Sequence, residues 1–532
     1  MSVTTHLPAG APGTKGLRGG TLGFMANVVI GVASTAPAYS LAVSLGLVAA
    51  AVGVASPAIM WLAFLPMLGI AVAYYYLNRA EPDCGTSFTW VTRAMGPHLG
   101  WLTGWAIIVA DVIVMASLAE VAAQYTFGLF GVDVFTNPVW AVPIGEQVVD
   151  VAVIGLGVGF VALLTWICYR GIELSARTQL VLLLLQLGAL AVFSAVALFR
   201  VYTDPPAGAM LPSLDWLNPF AITGEDGTFS PSALAIGMVI ALFIYWGFDT
   251  TATVNEESAN PTEQPGRATI ASTLVLVGTY LVVSIAAQAW AGVDRLAEAG
   301  ESDIFGVIAR EVLGSPWDKL LVIAVLTSAA ASTQTTILPT ARTALSMGAR
   351  GALPGMWAKV HPSFQTPTHA TIWMGILSVI FYVGLKILSE NVYWDALAAL
   401  GLMIAFYYGL TGYAAPILYR RRLFKSVRNV VMIGVLPLGG AIVLTWAFVQ
   451  SVVDMADPAS SYSGVTWLGM AVPLAITVIS FAVGVVLMLA WWVVAPAFFR
   501  LRPDVLPAED PVPPAATPAG SAGPAGTGGG AG

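Results

Sequence analysis

Phe243-Ile244-Tyr245-Trp246-Gly247-Phe248-Asp249 lies inside an apolar run near residues 234–255, and it puts a glycine and an ionisable carboxylate where a plain membrane helix would carry neither. A carboxylate at membrane depth is costly and faces a bundle interior or a water-filled cavity, so Asp249 reads as functional. A second run, near 22–48, carries Gly31-Val32-Ala33-Ser34-Thr35-Ala36-Pro37 at its middle. Pro37 removes a backbone donor and clashes with the preceding turn, leaving carbonyls near Ala33 without helical partners. In hydrocarbon those groups need a neighbouring helix, a water or a ligand. A simple proline kink accounts for the first run taken alone. Two broken runs separated by four others match the discontinuous helices that build midplane sites in secondary transporters.

The rest of the chain agrees with a membrane setting. Of 532 residues, 57% are apolar and 10% charged, against about one quarter charged in a soluble domain. Apolar runs long enough for a hydrocarbon core of roughly 30 Å recur along the sequence. No sustained polar–apolar alternation supports a transmembrane β-barrel. Breaks between the runs predict spans near 22–48, 54–77, 99–127, 148–169, 176–199, 234–255, 268–290, 317–345, 369–387, 393–419, 429–450 and 466–495. The fold class expected is therefore an all-α integral membrane protein with twelve transmembrane helices, of which helices 1 and 6 are broken. Tails 1–21 and 501–532 flank a core at 22–425 and two further helices at 426–500. Placing both tails inside leaves Arg200, Arg295, Arg310, Lys319 and Lys386 outside and seventeen of the 22 basic residues inside, with the Arg420, Arg421, Arg422, Lys425, Arg428 cluster as the strongest marker. An inner (cell) membrane with cytoplasmic termini follows. No cleavable signal peptide precedes the first span, which is expected to stay in the protein. Both tails read as disordered and without chemistry.

Several motifs resemble the amino acid-polyamine-organocation transporter family. Gly247-Phe248-Asp249, Glu256-Glu257-Ser258-Ala259-Asn260-Pro261 and Pro265-Gly266-Arg267-Ala268 resemble its sixth-span signature. Gly85-Thr86-Ser87-Phe88-Thr89-Trp90-Val91, Arg93-Ala94-Met95-Gly96-Pro97 and Gly100-Trp101-Leu102-Thr103-Gly104-Trp105 resemble its loop into span three. Arg342, Gly351-Ala352-Leu353-Pro354, Lys359-Val360-His361-Pro362 and Pro367 resemble its segment after span eight. The resemblance implies a five-plus-five inverted repeat of the LeuT type with two extra C-terminal helices, and a substrate that is an amino acid or related amine. It implies that Ala33, Ser34, Thr35, Ala36 and Pro37 hold one end of the substrate, although the family's glycine-rich tract is here Ala-Ser-Thr-Ala-Pro. Phe243 falls where the family places an aromatic gate; packing in the span is the other reading. Tyr245, Trp246, Gly247, Phe248 and Asp249 complete the expected site, with Asp111 from span three.

The driving ion has two readings. Asp111 and Asp249 are carboxylates whose burial would favour proton exchange; Asp111 could instead pair with a substrate ammonium. Thr327, Ser328, Ser332 and Thr333 offer hard oxygen ligands for sodium, or ordinary helix-packing hydroxyls. Some proton-linked relatives carry a span-five lysine where this chain has Gln186, which cannot replace a cation. Glu120, near the outer end of span three, reads as solvated. Glu256, Glu257 and Glu263 could pair with Arg79, Arg93 or Arg342 as a cytoplasmic gate, or form a solvated cluster. The reading taken is proton-coupled symport by alternating access. Sodium-coupled symport or exchange by the same fold is the alternative, and a membrane solute sensor the more distant one. Partners are the solute, the ion and the bilayer, with no nucleic acid and the oligomeric state open. Neither the four histidines nor Cys84 and Cys168 form a metal spacing or catalytic set, so neither a cofactor nor an enzyme is expected.

Overall fold

Apolar runs become helices along nearly the whole chain. The computed structural model describes residues 15–132, 134, 137–144, 147–171, 176–224, 227–298, 304–388, 392–461 and 463–507. The tail expectations for 1–14 and 508–532 lie outside these residues.

In chain order the helices are α1 Phe24–Thr35, α2 Pro37–Val52, α3 Ser56–Ala80, α4 Ser87–Met95, α5 Pro97–Leu129, α6 Val151–Arg170 and α7 Ala176–Thr203. Next come α8 Pro231–Tyr245, α9 Thr250–Thr253, α10 Gln264–Ala291, α11 Val293–Glu298, α12 Ile304–Leu313 and α13 Asp318–Ala349. The last are α14 Thr368–Leu388, α15 Val392–Leu418, α16 Val427–Asn429, α17 Leu436–Asp454, α18 Val472–Val494 and α19 Pro496–Phe499. Two short antiparallel hairpins, Ala141–Ile144 with Gln147–Asp150 and Thr466–Trp467 with Met470–Ala471, sit in connections.

Among the described residues, 10 helical stretches are long and apolar enough to cross a membrane. The first of them, Phe24–Ala80, is 57 residues long, and Pro231–Tyr245 is apolar but shorter. The protein is therefore a multi-pass, all-helical membrane protein.

The helices divide into inner and outer by burial. Within their most apolar windows, α5 and α15 are 83% buried and α6 is 28% buried, so α5 and α15 form the interior and α6 meets the lipid. Close helix approach uses small residues, as membrane packing favours. A side chain on Gly440 of α17 would come within 2.7 Å of the Pro66 carbonyl on α3, so those two backbones touch.

Candidate functional site

Pro37 cannot sit inside a continuing helix, because it has no N–H to give and its ring meets the preceding turn. α1 ends at Thr35, α2 starts at Pro37, and Ala36 between them has φ +48°, a left-handed conformation unusual for a residue with a side chain. α13 takes up the groups this frees. The Ser332 hydroxyl donates to the Ser34 carbonyl at 3.0 Å, and the Tyr39 N–H donates to Ser328 Oγ at 3.3 Å. The Thr35 carbonyl accepts from Ser40 Oγ at 2.6 Å.

α8 likewise stops at Tyr245, Trp246 is extended, and Gly247 has φ +113°. A Cβ on Gly247 would lie 2.9 Å from both the carbonyl carbon and oxygen of Ser34. Glycine is thus required twice, by its backbone angle and by contact with the other chain break. The Ser34 and Thr250 hydroxyls complete the junction at 2.8 Å.

Two carboxylates stand beside this junction. Asp249 is buried and accepts from Tyr408 Oη at 2.8 Å and Tyr74 Oη at 3.1 Å. Tyr74 is in turn bonded to Ser87 Oγ at 2.6 Å. Asp111 is buried and accepts from Thr340 Oγ1 at 2.5 Å. Both acids line one cavity with Ser34, Trp246, Gly247, Thr250, Thr336 and Tyr407. The cavity is only about 10 Å³, close to the least space that holds one water.

The expected site residues therefore separate. Ser34, Asp111, Trp246, Gly247 and Asp249 come together on the cavity wall. Ala33, Thr35, Ala36 and Pro37 shape the break behind it. Phe243 packs edge-on against Tyr39 with ring centroids 6.2 Å apart, and Phe248 stacks on Tyr408 at 5.3 Å. Tyr245 points elsewhere, donating to the Met60 carbonyl at 2.9 Å. Of the hydroxyls on α13, Ser328 and Ser332 reach the first break, whereas Thr327 and Thr333 donate to their own helix at Ile323 and Ala329. Gln186 is fully buried, and neither amide atom has a hydrogen-bond partner among the described residues. Tyr74, Tyr407, Tyr408 and Thr340 were not expected from the sequence. Their signal was Tyr74-Tyr75-Tyr76 and Tyr407-Tyr408, tyrosine runs inside apolar segments, where a phenol needs a partner.

At the end of the bundle where α3 finishes, an ionic network contains two of the expected pairings, Glu257–Arg342 and Glu263–Arg79, and departs from expectation at Arg93 and Glu256. Glu257 and Arg342 form a buried bidentate pair, with Arg342 Nη2 at 2.8 Å from Glu257 Oε1 and Nε at 3.0 Å from Oε2. This is a sequestered pair rather than a solvated cluster, with both side chains buried. Arg93 pairs with Glu81 at 3.0 Å rather than with Glu256 or Glu257, and Arg79 with Glu263 at 3.1 Å on the surface. Glu256 is bonded instead to Lys15 Nζ at 2.6 Å, which also meets Asp83 at 2.7 Å.

Residues 15–22, ahead of the first helix, are thus part of the structure. Leu17 is buried with Cys84 and Leu345, and the N–H groups of Thr21 and Leu22 donate to the Glu257 carbonyl at 2.9 and 3.1 Å. Residues 504–506 dock too. Asp504 N–H donates to the Arg93 carbonyl at 2.9 Å and Leu506 N–H to the Leu418 carbonyl at 3.0 Å. Apolar Leu17 and Leu506 supply the anchors that the tail composition obscured.

Burial alone would raise the Asp83 carboxyl, but Arg350 at 2.8 Å and Lys15 outweigh it and hold Asp83 well below the usual carboxylate range. Burial also works against the Lys15 ammonium, and the acidic groups around it reverse that and hold it charged. At the opposite end of α5, Glu120 is buried rather than solvated, because α14 brings Tyr382 Oη to 2.7 Å and Lys386 Nζ to 3.1 Å from it.

Comparison with known proteins adds an independent line. Residues 21–481 match the family model described as amino acid permease. The chain is 26% identical over 338 residues to the branched-chain amino acid permease BcaP of Bacillus subtilis, covering 60% of this chain and 65% of that protein. It is 24% identical over 432 residues to the methylthioribose transporter of the same organism, covering 79% and 84%. It is 23% identical over 340 residues to the vacuolar cationic amino acid transporter 4 of Arabidopsis thaliana, covering 63% and 53%. The matches to BcaP and to the plant protein therefore span slightly under two thirds and about half of those proteins' lengths. These relatives are transporters and not enzymes.

Proposed function

The chain belongs to the amino acid permease family, and on that premise we propose that it is a secondary active transporter whose midplane site lies where its two helix breaks touch. The observation that carries this reading is the junction of Ser34, Gly247 and Thr250 beside Asp111 and Asp249. Broken helices leave backbone groups free to bind the charged ends of a small solute. Two carboxylates on one cavity wall favour a substrate with an ammonium group, an amino acid or related amine.

In this reading the 57-residue stretch Phe24–Ala80 crosses the bilayer twice, and α8 with α9 makes one broken span. That gives twelve spans: a five-plus-five inverted repeat at 22–425 and two added helices at 426–500. α1, α2, α8 and α9 rock as a unit against the remaining helices, and the site opens to each side in turn. The Glu257–Arg342 pair and the contacts of Lys15 close the basic end, which faces the cytoplasm of a cell membrane by its excess of Lys and Arg. Asp249 and Asp111 favour a proton as the driving ion. Ser328 and Ser332 at the first break support sodium as the second reading.

Uptake of labelled amino acids and amines into proteoliposomes, with proton and sodium gradients imposed separately, tests the proposal. Accumulation driven by the proton gradient is expected. Accumulation with sodium alone assigns the second reading, exchange only against preloaded solute assigns an antiporter, and silence in all three overturns transport in favour of sensing.

A further inference from the structure

A second cavity, of about 520 Å³, opens between α5, α13, α14 and α18. Its size falls within the range of small-molecule binding sites, but its wall is of another character from the site above. Trp101, Trp105, Met347, Trp373, Met374 and Trp491 give it flat aromatic and thioether surfaces. Thr340 brings a hydroxyl to the wall, and that group is already engaged by Asp111 and by the Thr336 carbonyl at 2.9 Å. Three of its five indole N–H groups are also engaged: Trp101 donates to the Ala352 carbonyl at 2.8 Å, Trp105 to the Ser480 carbonyl at 2.9 Å and Trp491 to the Gly351 carbonyl at 3.0 Å. Water needs two to four polar partners in such a space, and among the described lining residues only the Trp357 and Trp373 indoles remain to offer one, in a wall that is otherwise apolar. A zwitterionic solute finds no charged side chain among these lining residues. The occupant is therefore an apolar chain.

The mouth and its surroundings say which. Trp373, Leu377, Leu487 and Val494 line the cavity and are also exposed on the outside of membrane-crossing helices, so the opening faces the bilayer. Leu501 packs on the cluster of Phe88, Trp101 and Met347 beside the cavity, and Arg500 and Arg502, its neighbours in the chain, are exposed. Lys359, also exposed, follows Trp357 of the cavity wall by two residues. Asp504 nearby is turned toward Arg93 at 3.7 Å. The cavity thus combines an apolar slot in the hydrocarbon zone with positive charge at its polar end that has no ion-pair partner among the described residues. Basic clusters at the end of membrane helices attract anionic lipid headgroups.

We propose that this cavity is a binding site for an anionic phospholipid, one acyl chain lying between α5, α13, α14 and α18 and the headgroup meeting Lys359, Arg500 and Arg502. The slot and the first cavity share a wall. Ile107, Asp111, Thr336 and Pro339 face the smaller cavity, while Ile108, Val112, Thr340 and Ala344 of the same two helices face the larger one. A chain in the slot sets the spacing of α5 and α13, and with it the Asp111–Thr340 contact. The inference rests on the protein crossing a bilayer and not on which solute it carries.

The full-length protein is reconstituted in phosphatidylethanolamine vesicles containing traces of phosphatidylglycerol with a photoreactive diazirine in one acyl chain, illuminated, and mapped by peptide mass spectrometry. Adducts on 368–388 and 472–494 are expected to exceed those on the exposed face of α17 at Val449 and Val453 by about tenfold, the ratio that 1.4 kcal/mol of preference gives. Leu487→Trp at the mouth and Ala370→Phe inside are expected to remove that excess while leaving the α17 adducts in place. Equal labelling of the two regions in the unaltered protein overturns the site without recourse to any variant. Equal labelling by a phosphatidylcholine carrying the same chain overturns the anionic headgroup. Because labelling is read without substrate, a failure here is distinct from a failure of the uptake assay.

Discussion

Gly247 has a left-handed backbone and no room for a methyl group against Ser34. Gly247→Ala must either strain the chain or push the two breaks apart, at a cost of order 1–3 kcal/mol for the backbone alone. The expected outcome is protein that inserts and purifies but takes up at least about tenfold less solute than the parent, since that cost falls on the site geometry; unchanged uptake would show that the contact between the breaks is dispensable. Asp249 makes a complementary case. Its two phenol donors hold the carboxylate in place, so Asp249→Asn keeps the shape and removes the charge. It is expected to abolish gradient-driven uptake while leaving membrane insertion intact, with Tyr408→Phe giving a smaller loss. Uptake kinetics and pH dependence identical to the parent would remove Asp249 from the proposed mechanism.

α13 shows how one helix can carry the logic of the whole site. Along its length Ser328 and Ser332 meet the first break, Thr336 and Pro339 line the small cavity, Thr340 holds Asp111, Arg342 holds Glu257 and Ser346 reaches Asp83 at 2.6 Å. Removing one partner from a buried ion pair leaves the other charge uncompensated, which typically costs about 3–5 kcal/mol. Arg342→Ala is therefore expected to lower the thermal midpoint of the purified protein and to bias it open at the basic end. Faster cysteine-reagent labelling at Cys84, which is buried beside this pair, measures the opening, and unaltered labelling counts against a gate there. Much of this was readable beforehand at the level of elements. Pro37 marked the point where α1 gives way to α2, and Gly247 the point past the end of α8, because proline chemistry and the backbone freedom of glycine act locally. What holds Asp249 was not readable: Tyr74 and Tyr408 are distant in sequence, and only the packing of α3, α8 and α15 makes them neighbours. Tyr245, one residue from the second break, looked equally suited and turns instead to Met60, since a helix directs adjacent side chains to different faces.

Over the whole molecule, the basic end is where the chain closes on itself. Lys15 joins Asp83 and Glu256, and Asp83 stays ionised well below its ordinary range. A depressed carboxylate contributes stability that is present above its unfolded value of about 3.9 and is lost as pH falls through the folded one. This clasp is therefore expected to hold unchanged from about pH 5 to 8, and any pH dependence of uptake in that window should arise from the carboxylates within the spans. Lys15→Ala should shift the absolute uptake rate without moving the midpoint of the pH profile; a moved midpoint would make the clasp itself the pH-sensitive part.

The docking of residues 15–22 and 504–506 on this face also bears on how the protein is handled. An affinity tag inserted directly ahead of Lys15, or directly after Pro507, is expected to load these contacts, and a change in Cys84 labelling relative to the untagged protein would measure it. Residues Leu211–Leu214, exposed on the connection between α7 and α8 at the far end of the bundle, offer a place for an epitope that leaves both fastenings alone.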